Sequence, residues 1–164
     1  MAFAQHLASV FQPFPSQLSA KEEETITNEL YVPHQMTQPM KKIRINDVKN
    51  VLKHKIHSKK APGYDLITGK VLQELSQKGL RAITQIYNAI LRIEYFPCHW
   101  KVGQIIMIAK PGKNPEDIES YWPISLLPIL SKILEKILLQ RLTPIIEESN
   151  LIPSHQFGFR NMKL

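Results

Sequence analysis

Asp47, Asp65 and Asp117 are the only aspartates in this 164-residue chain, and their placement bears on one chemical question at once. In-line phosphoryl transfer between two divalent metals needs carboxylates held together at the metals. None of the three has an aspartate neighbour, and none follows the apolar strand that a metal-bearing turn would use. Each is expected in a local role: Asp47 at a helix start, Asp65 in a turn, Asp117 in a surface loop. No residue is therefore assigned to catalysis or to metal binding. His54 and His57 stand three apart and could bind a metal from one helix face. They have no evident third ligand, and the lysines around them repel a cation. Cys98-His99 has no further residue to complete a nucleophilic site. Gly103 and Gly112 do not form a phosphate-cradling loop.

The cations carry more information. Lys110 closes the apolar run Val102–Ala109 and precedes Pro111-Gly112, and taken alone it reads as a surface lysine beside a turn. The first forty residues hold one lysine and four glutamates, a balance of −3, so the total of +7 leaves +10 for the rest. Eight basic residues fall between Lys41 and Lys60 against one acid, Asp47. Concentrated positive charge favours phosphate-bearing partners through counterion release. A solvated, solubilising surface accounts for the charge equally well.

The elements that must position these groups can be read from caps and periods. Residues 1–40, with Pro13, Pro15, Pro33 and Pro39, read as a linker with at most a short helix near 2–11. A helix is expected from an Asn46 cap, with Val48, Val51, Leu52 and Ile56 on one face and Lys55 marking an early end or snorkelling. Pro62-Gly63 predicts a type II turn with Gly63 at positive φ. Thr68 caps a helix over 69–77, Gly79 ends or kinks it, and a stronger helix over 80–94 carries Ile83, Ile86, Tyr87 and Ile90. Val102–Ala109 reads as a buried strand and Tyr121–Leu126 as extended, because Trp122 precedes a proline. Joined by the polar loop 111–120, the two predict an antiparallel hairpin. A last long helix starts near Pro128, turns Leu130, Ile133, Leu134, Ile137 and Leu138 inward, and is broken or kinked by Pro144. Residues 150–160 read as a loop. Trp100 is expected in the core.

Composition sets the class. At 43% hydrophobic with a mean hydropathy of −0.19, the chain is globular in character. Charged or amide residues break every apolar run, so no membrane contact is expected, and the N-terminus has no secretory signal pattern. One cysteine excludes an internal disulfide and fits a reducing, intracellular setting.

Four segments then stand in a telling order: Lys60-Ala-Pro-Gly-Tyr-Asp65; Trp100-Lys-Val with Ile108-Ala-Lys-Pro-Gly112; Tyr121-Trp-Pro-Ile-Ser-Leu126; and Gln156-Phe-Gly-Phe-Arg160. With Tyr95-Phe-Pro and Leu151-Ile-Pro between them, the string resembles the N-terminal motifs of a reverse transcriptase from a jockey-like non-LTR retrotransposon. The resemblance is continuous from about Ile43 to Arg160. It implies an α+β fold, part of a right-hand polymerase: 43–164 as fingers, mostly helical with a two-stranded fingertip hairpin, preceded by a spacer over 1–42. Palm and thumb, with the Mg2+-binding aspartates, are not in this stretch, so the chain alone is expected to be inactive and to hold no cofactor. The implied partners are an RNA template and a DNA primer. A helix made to lie on a palm would expose its apolar stripe over 128–142 and invite self-association.

By the same resemblance Lys110 is the fingertip lysine that grips the incoming triphosphate. Its partner in the family is an arginine on the returning strand, and here that position is Trp122. Tryptophan carries no charge, so either it stacks on a base or the position has decayed. The expected proline before the lysine is Ala109. Lys59, Lys60 and Arg160 are, again by resemblance, template-backbone contacts.

Overall fold

Helix-start chemistry accounts for most of the element boundaries. The computed structural model describes residues 2–13, 18–32, 40–153 and 155–156. In chain order the elements are α1 (Ala2–Val10), α2 (Ala20–Tyr31), α3 (Ile45–His54), α4 (Gly69–Gln73), α5 (Gln77–Ile93), β1 (Gln104–Ala109), β2 (Tyr121–Leu126) and α6 (Ile129–Glu148). Short 3-10 turns, Cys98–Lys101 and Ile118–Ser120, lead into the two strands. The fold is α+β: helices plus one two-stranded antiparallel hairpin. The chain forms two units, residues 1–41 with 107–123, and residues 42–106 with 124–164.

The second unit holds the hydrophobic core. α3 contributes Val48, Val51 and Leu52, α5 contributes Leu80, Ile83, Tyr87 and Ile90, and α6 contributes Ile129, Ile133, Leu134 and Ile137. α3 lies against both α5 and α6. Trp100 packs on this core edge-on to Tyr87 and Phe96, with ring centroids 6.0 and 5.9 Å away. Polar side chains tie the connecting segments to the helices. The Ile43 N–H donates to Asn88 Oδ1 at 2.8 Å, and Asn88 Nδ2 donates back to the Ile43 carbonyl at 2.9 Å. Gln73 Nε2 donates to the Leu52 and Ile56 carbonyls, each at 2.9 Å, and so closes the C-terminal end of α3. Tyr87 is fully buried and its hydroxyl donates to the Leu130 carbonyl at 2.8 Å, which links α5 to α6.

Several boundaries differ from expectation, each for a local reason. α3 starts two residues earlier than an Asn46 cap allows, because the Asp47 carboxylate accepts the Arg44 N–H at 2.9 Å and moves the cap back to Arg44. Lys55 is where that helix ends. α4 stops at Gln73 because Ser76 caps a new helix, its Oγ accepting the Gly79 N–H; Gly79 therefore sits in the first turn of α5 rather than ending a helix. Ile86 faces solvent and Thr84 takes its place on the buried face, donating to the Leu80 carbonyl at 2.8 Å. β1 is exposed along most of its length, not buried, since a lone hairpin has no second layer to cover it.

Pro144 does not break α6, which continues to Glu148. The apolar stripe expected to lie open is the face α6 buries against its own chain over Ile129–Ile137. The large apolar residues that α6 leaves exposed are instead Leu139, Leu142 and Ile145.

In the first unit, α1 packs on the 3-10 turn 118–120, and Phe3 meets Tyr121 edge-on with centroids 5.0 Å apart. α2 was not expected from the sequence. It begins with a capping box: Glu22 N–H donates to Ser19 Oγ at 3.3 Å, while Ser19 N–H and Oγ–H both donate to the Glu22 carboxylate. Those bonds from Ser19, the hydroxyl first, hold the Glu22 carboxyl below its ordinary value. α2 buries no residue.

Candidate nucleic-acid interface

The hairpin presents Lys110. The two six-residue strands are closed by a hydrogen bond from the Lys110 N–H to the Ser120 carbonyl at 2.7 Å, which aligns residue 109 with 121 and residue 108 with 122. Side chains alternate across a strand, so Lys110 and Trp122 fall on one face, as diagonal neighbours. The Lys110 ammonium donates to the Glu119 carbonyl at 2.6 Å, which holds the half-buried side chain against the turn. Gly112, at φ +71, makes the reversal that Pro111-Gly112 announced. Trp122 is 49% exposed and has no ring partner among the described residues, so its face is open.

The Lys60–Asp65 segment has a different geometry from the one expected. Gly63 has no positive φ, and the turn runs from the Gly63 carbonyl to the Leu66 N–H at 3.0 Å, with Leu66 itself at φ 59. Asp65 stabilises this turn by accepting the Ile67 N–H at 3.3 Å. Glycine is required at 63 for proximity: a Cβ there would stand 2.6 Å from Pro128 N and 2.7 Å from the Leu127 carbonyl carbon. The segment is thus pressed backbone-to-backbone onto the start of α6. Lys59 and Lys60, both exposed, lie on a turn closed by the Lys60 N–H to His57 carbonyl bond at 3.2 Å.

Beside that contact is a cleft of about 500 Å³, lined by Lys55, Ile56, His57, Lys60, Ala61, Ile129, Lys132, Glu135, Lys136 and Leu139. Four lysines and one glutamate face it. Lys60 was expected at such a site. Lys132 and Lys136 were not, although their spacing of four on a helix places them on one face. Arg160 lies outside the described residues.

The acidic residues do not assemble. Asp47 serves the Arg44 N–H and lies 3.6 Å from the Arg141 guanidinium, Asp65 serves its turn, and Asp117 accepts the Glu119 N–H at 3.0 Å. Among the described residues no group of three His, Cys, Asp or Glu side chains could hold a metal ion. The carboxylates of this stretch therefore do not fit a catalytic Mg2+ pair. Cys98 Sγ lies 3.4 Å from His99 Nδ1, both exposed, and the His99 carbonyl accepts the Tyr64 hydroxyl. No described helix is long and apolar enough to cross a membrane.

The described residues present a lysine at a hairpin turn and, in the helical unit, a lysine-lined cleft, cations whose charge suits a phosphate-bearing ligand. Comparison with known proteins makes the assignment specific. The chain is 42% identical over 158 residues to the probable RNA-directed DNA polymerase from transposon BS of Drosophila melanogaster, and equally so to that from transposon X-element. It is 40% identical over 161 residues to the RNA-directed DNA polymerase from mobile element jockey of the same fly. Each match covers 96% of this chain and 17% of the relative. Along nearly its whole length the chain is therefore homologous to a stretch of the RNA-directed DNA polymerases of jockey-like and related non-LTR transposons. It spans about a sixth of the length of those relatives. No protein-family model matches it.

Proposed function

We propose that this chain is the fingers part of a non-LTR retrotransposon RNA-directed DNA polymerase, that it contacts template and incoming nucleotide, and that by itself it does not polymerise. The observation that carries this reading is the homology over 96% of the chain to reverse transcriptases, with Lys110 held at the tip of the one hairpin. Lys110 is the phosphate contact in this reading. Trp122 stands on the same face where an arginine fork would complete the grip, so the triphosphate is held by one cation instead of two. Lys59 and Lys60 contact the template backbone. Catalysis is absent because each aspartate of the chain is committed to a local backbone or ion-pair role.

Two measurements on the purified 164-residue protein test this. Single-stranded RNA should bind with an affinity that falls steeply with salt. Primer extension with Mg2+ or Mn2+ should give no incorporation, and template-directed incorporation would refute the inactivity.

A further inference from the structure

The cleft between residues 55–61 and α6 has no role in the homology argument and was not visible in the motif string. Its lining carries four lysines against Glu135, a net of +3 with His57 neutral. No ion pair involving any of the four is found among the described residues. Lys132 and Lys136 are half-buried, so they have lost part of their hydration without gaining a carboxylate. Lys132 also stands in the first turn of α6, where the helix dipole disfavours a cation, and no acidic residue offsets it there. Like charges gathered at a partly desolvated concavity cost stability unless an anion is to be received. Glu135 is exposed and leaves the site cationic.

We infer that this cleft receives consecutive phosphates of a single-stranded nucleic-acid backbone, with Lys132 and Lys136 on α6 facing Lys55 and Lys60 across it. The inference rests on the proposed nucleic-acid role and adds its location and the two α6 contacts. Gly63 supports the geometry: its contact with Leu127 and Pro128 fixes the segment bearing Lys60 against the helix bearing Lys132. The apolar floor, Ile56 and Ile129, is buried and belongs to the core, so charge and not base stacking provides the recognition.

The test is fluorescence-anisotropy titration of a labelled 20-nucleotide RNA against the full chain across a salt series. Four phosphate contacts give a log–log salt slope of about −2.8, and K132A/K136A should flatten it by about 1.4. The same variant should weaken binding on the order of tenfold at about 50 mM salt. K132R/K136R should restore both, and K78A/R81A, which removes equal charge from the exposed side of α5, should leave both nearly unchanged. Circular dichroism melts establish that each variant is folded.

If the wild type binds RNA but K132A/K136A matches it, or K78A/R81A weakens binding as much, the cleft assignment is wrong while the broader reading stands. If the wild type does not bind RNA, the broader reading fails first. Displacement of the RNA by a nucleoside triphosphate at equal molar concentration would make this a free-nucleotide site and overturn the backbone assignment.

Discussion

Gly63→Ala is the sharpest probe of how this segment is assembled. The added Cβ would meet Pro128 N at 2.6 Å, the Leu127 carbonyl carbon at 2.7 Å and its oxygen at 3.0 Å. Ordinary contact begins at 3.4 Å, so two backbone stretches must part by about 0.8 Å, and neither can yield by a rotamer change. Overpacking of this kind costs about 1–3 kcal/mol. At about 2 kcal/mol, a chain of this length should melt roughly 4–8 °C lower. Gly79→Ala is the matched control. Its nearest neighbour is Leu75 Cδ2 at 3.2 Å, the end of a flexible side chain, and its site is the first turn of α5. Helix propensity there favours alanine by up to about 1 kcal/mol, so Gly79→Ala should melt at or above the wild type. Melts followed at 222 nm rank the three proteins. A second readout, RNA affinity well below the melting range, should fall for Gly63→Ala alone, because parting those backbones displaces Lys60 from Lys132. A Gly63→Ala protein as stable as the wild type would mean that 61–64 does not press on the start of α6, and the cleft would lose its wall.

Three other substitutions probe separate links. Tyr87 has its phenol pushed above the ordinary value by burial, so the neutral form is favoured in the folded state. Its contribution should be whole below pH about 10 and drain away as pH rises further; Tyr87→Phe should remove that alkaline loss while costing about 1 kcal/mol near neutrality, read by denaturant melts at several pH values. Asp47→Ala should cost about 1 kcal/mol through the lost Arg44 cap, the half-exposed Arg141 pair at 3.6 Å adding less, and a variant as stable as the wild type would argue against that helix start. Trp122→Arg, at a position 49% exposed, should leave the melt unchanged and raise triphosphate affinity about two- to fivefold in calorimetry. A fall in RNA affinity for the same variant would instead show that the indole stacks on bases.

What could be read from the sequence follows the range of each interaction. Thr68 and the 3.6-residue stripe of α5 act within one turn, and Thr68, Ile83, Tyr87 and Ile90 stand where they were expected, Ile86 alone turning to solvent. The hairpin was also legible, because a β-branched run, Pro111-Gly112 and the Trp122-Pro123 constraint are all local. Ser19 and Glu22 carried an equally local signal, a serine three residues before a glutamate, which a proline-heavy and acidic context concealed. Pro144 shows the limit of a local rule: α6, anchored by Ile133, Leu134 and Ile137, stays helical to Glu148 past a residue that breaks short helices.

Gly63 and the cleft lie beyond any such reading. The glycine was legible as necessary, but for the wrong reason, since its need comes from Leu127 and Pro128 more than sixty residues away and not from a turn. Lys132 and Lys136 carry no motif, and only the fold brings them to one cleft with Lys55 and Lys60. Their position bears on what the motif string can carry. The proposed phosphate contacts Lys110 and Lys60 fall on two different units of the chain, whereas every residue lining the cleft belongs to the helical unit. A backbone seated there has its course set by the helical unit, so cleft variants should change RNA affinity while leaving triphosphate affinity at the hairpin untouched, and hairpin variants should do the reverse. If either class of variant moved both affinities together, the two phosphate sites would have to be treated as one.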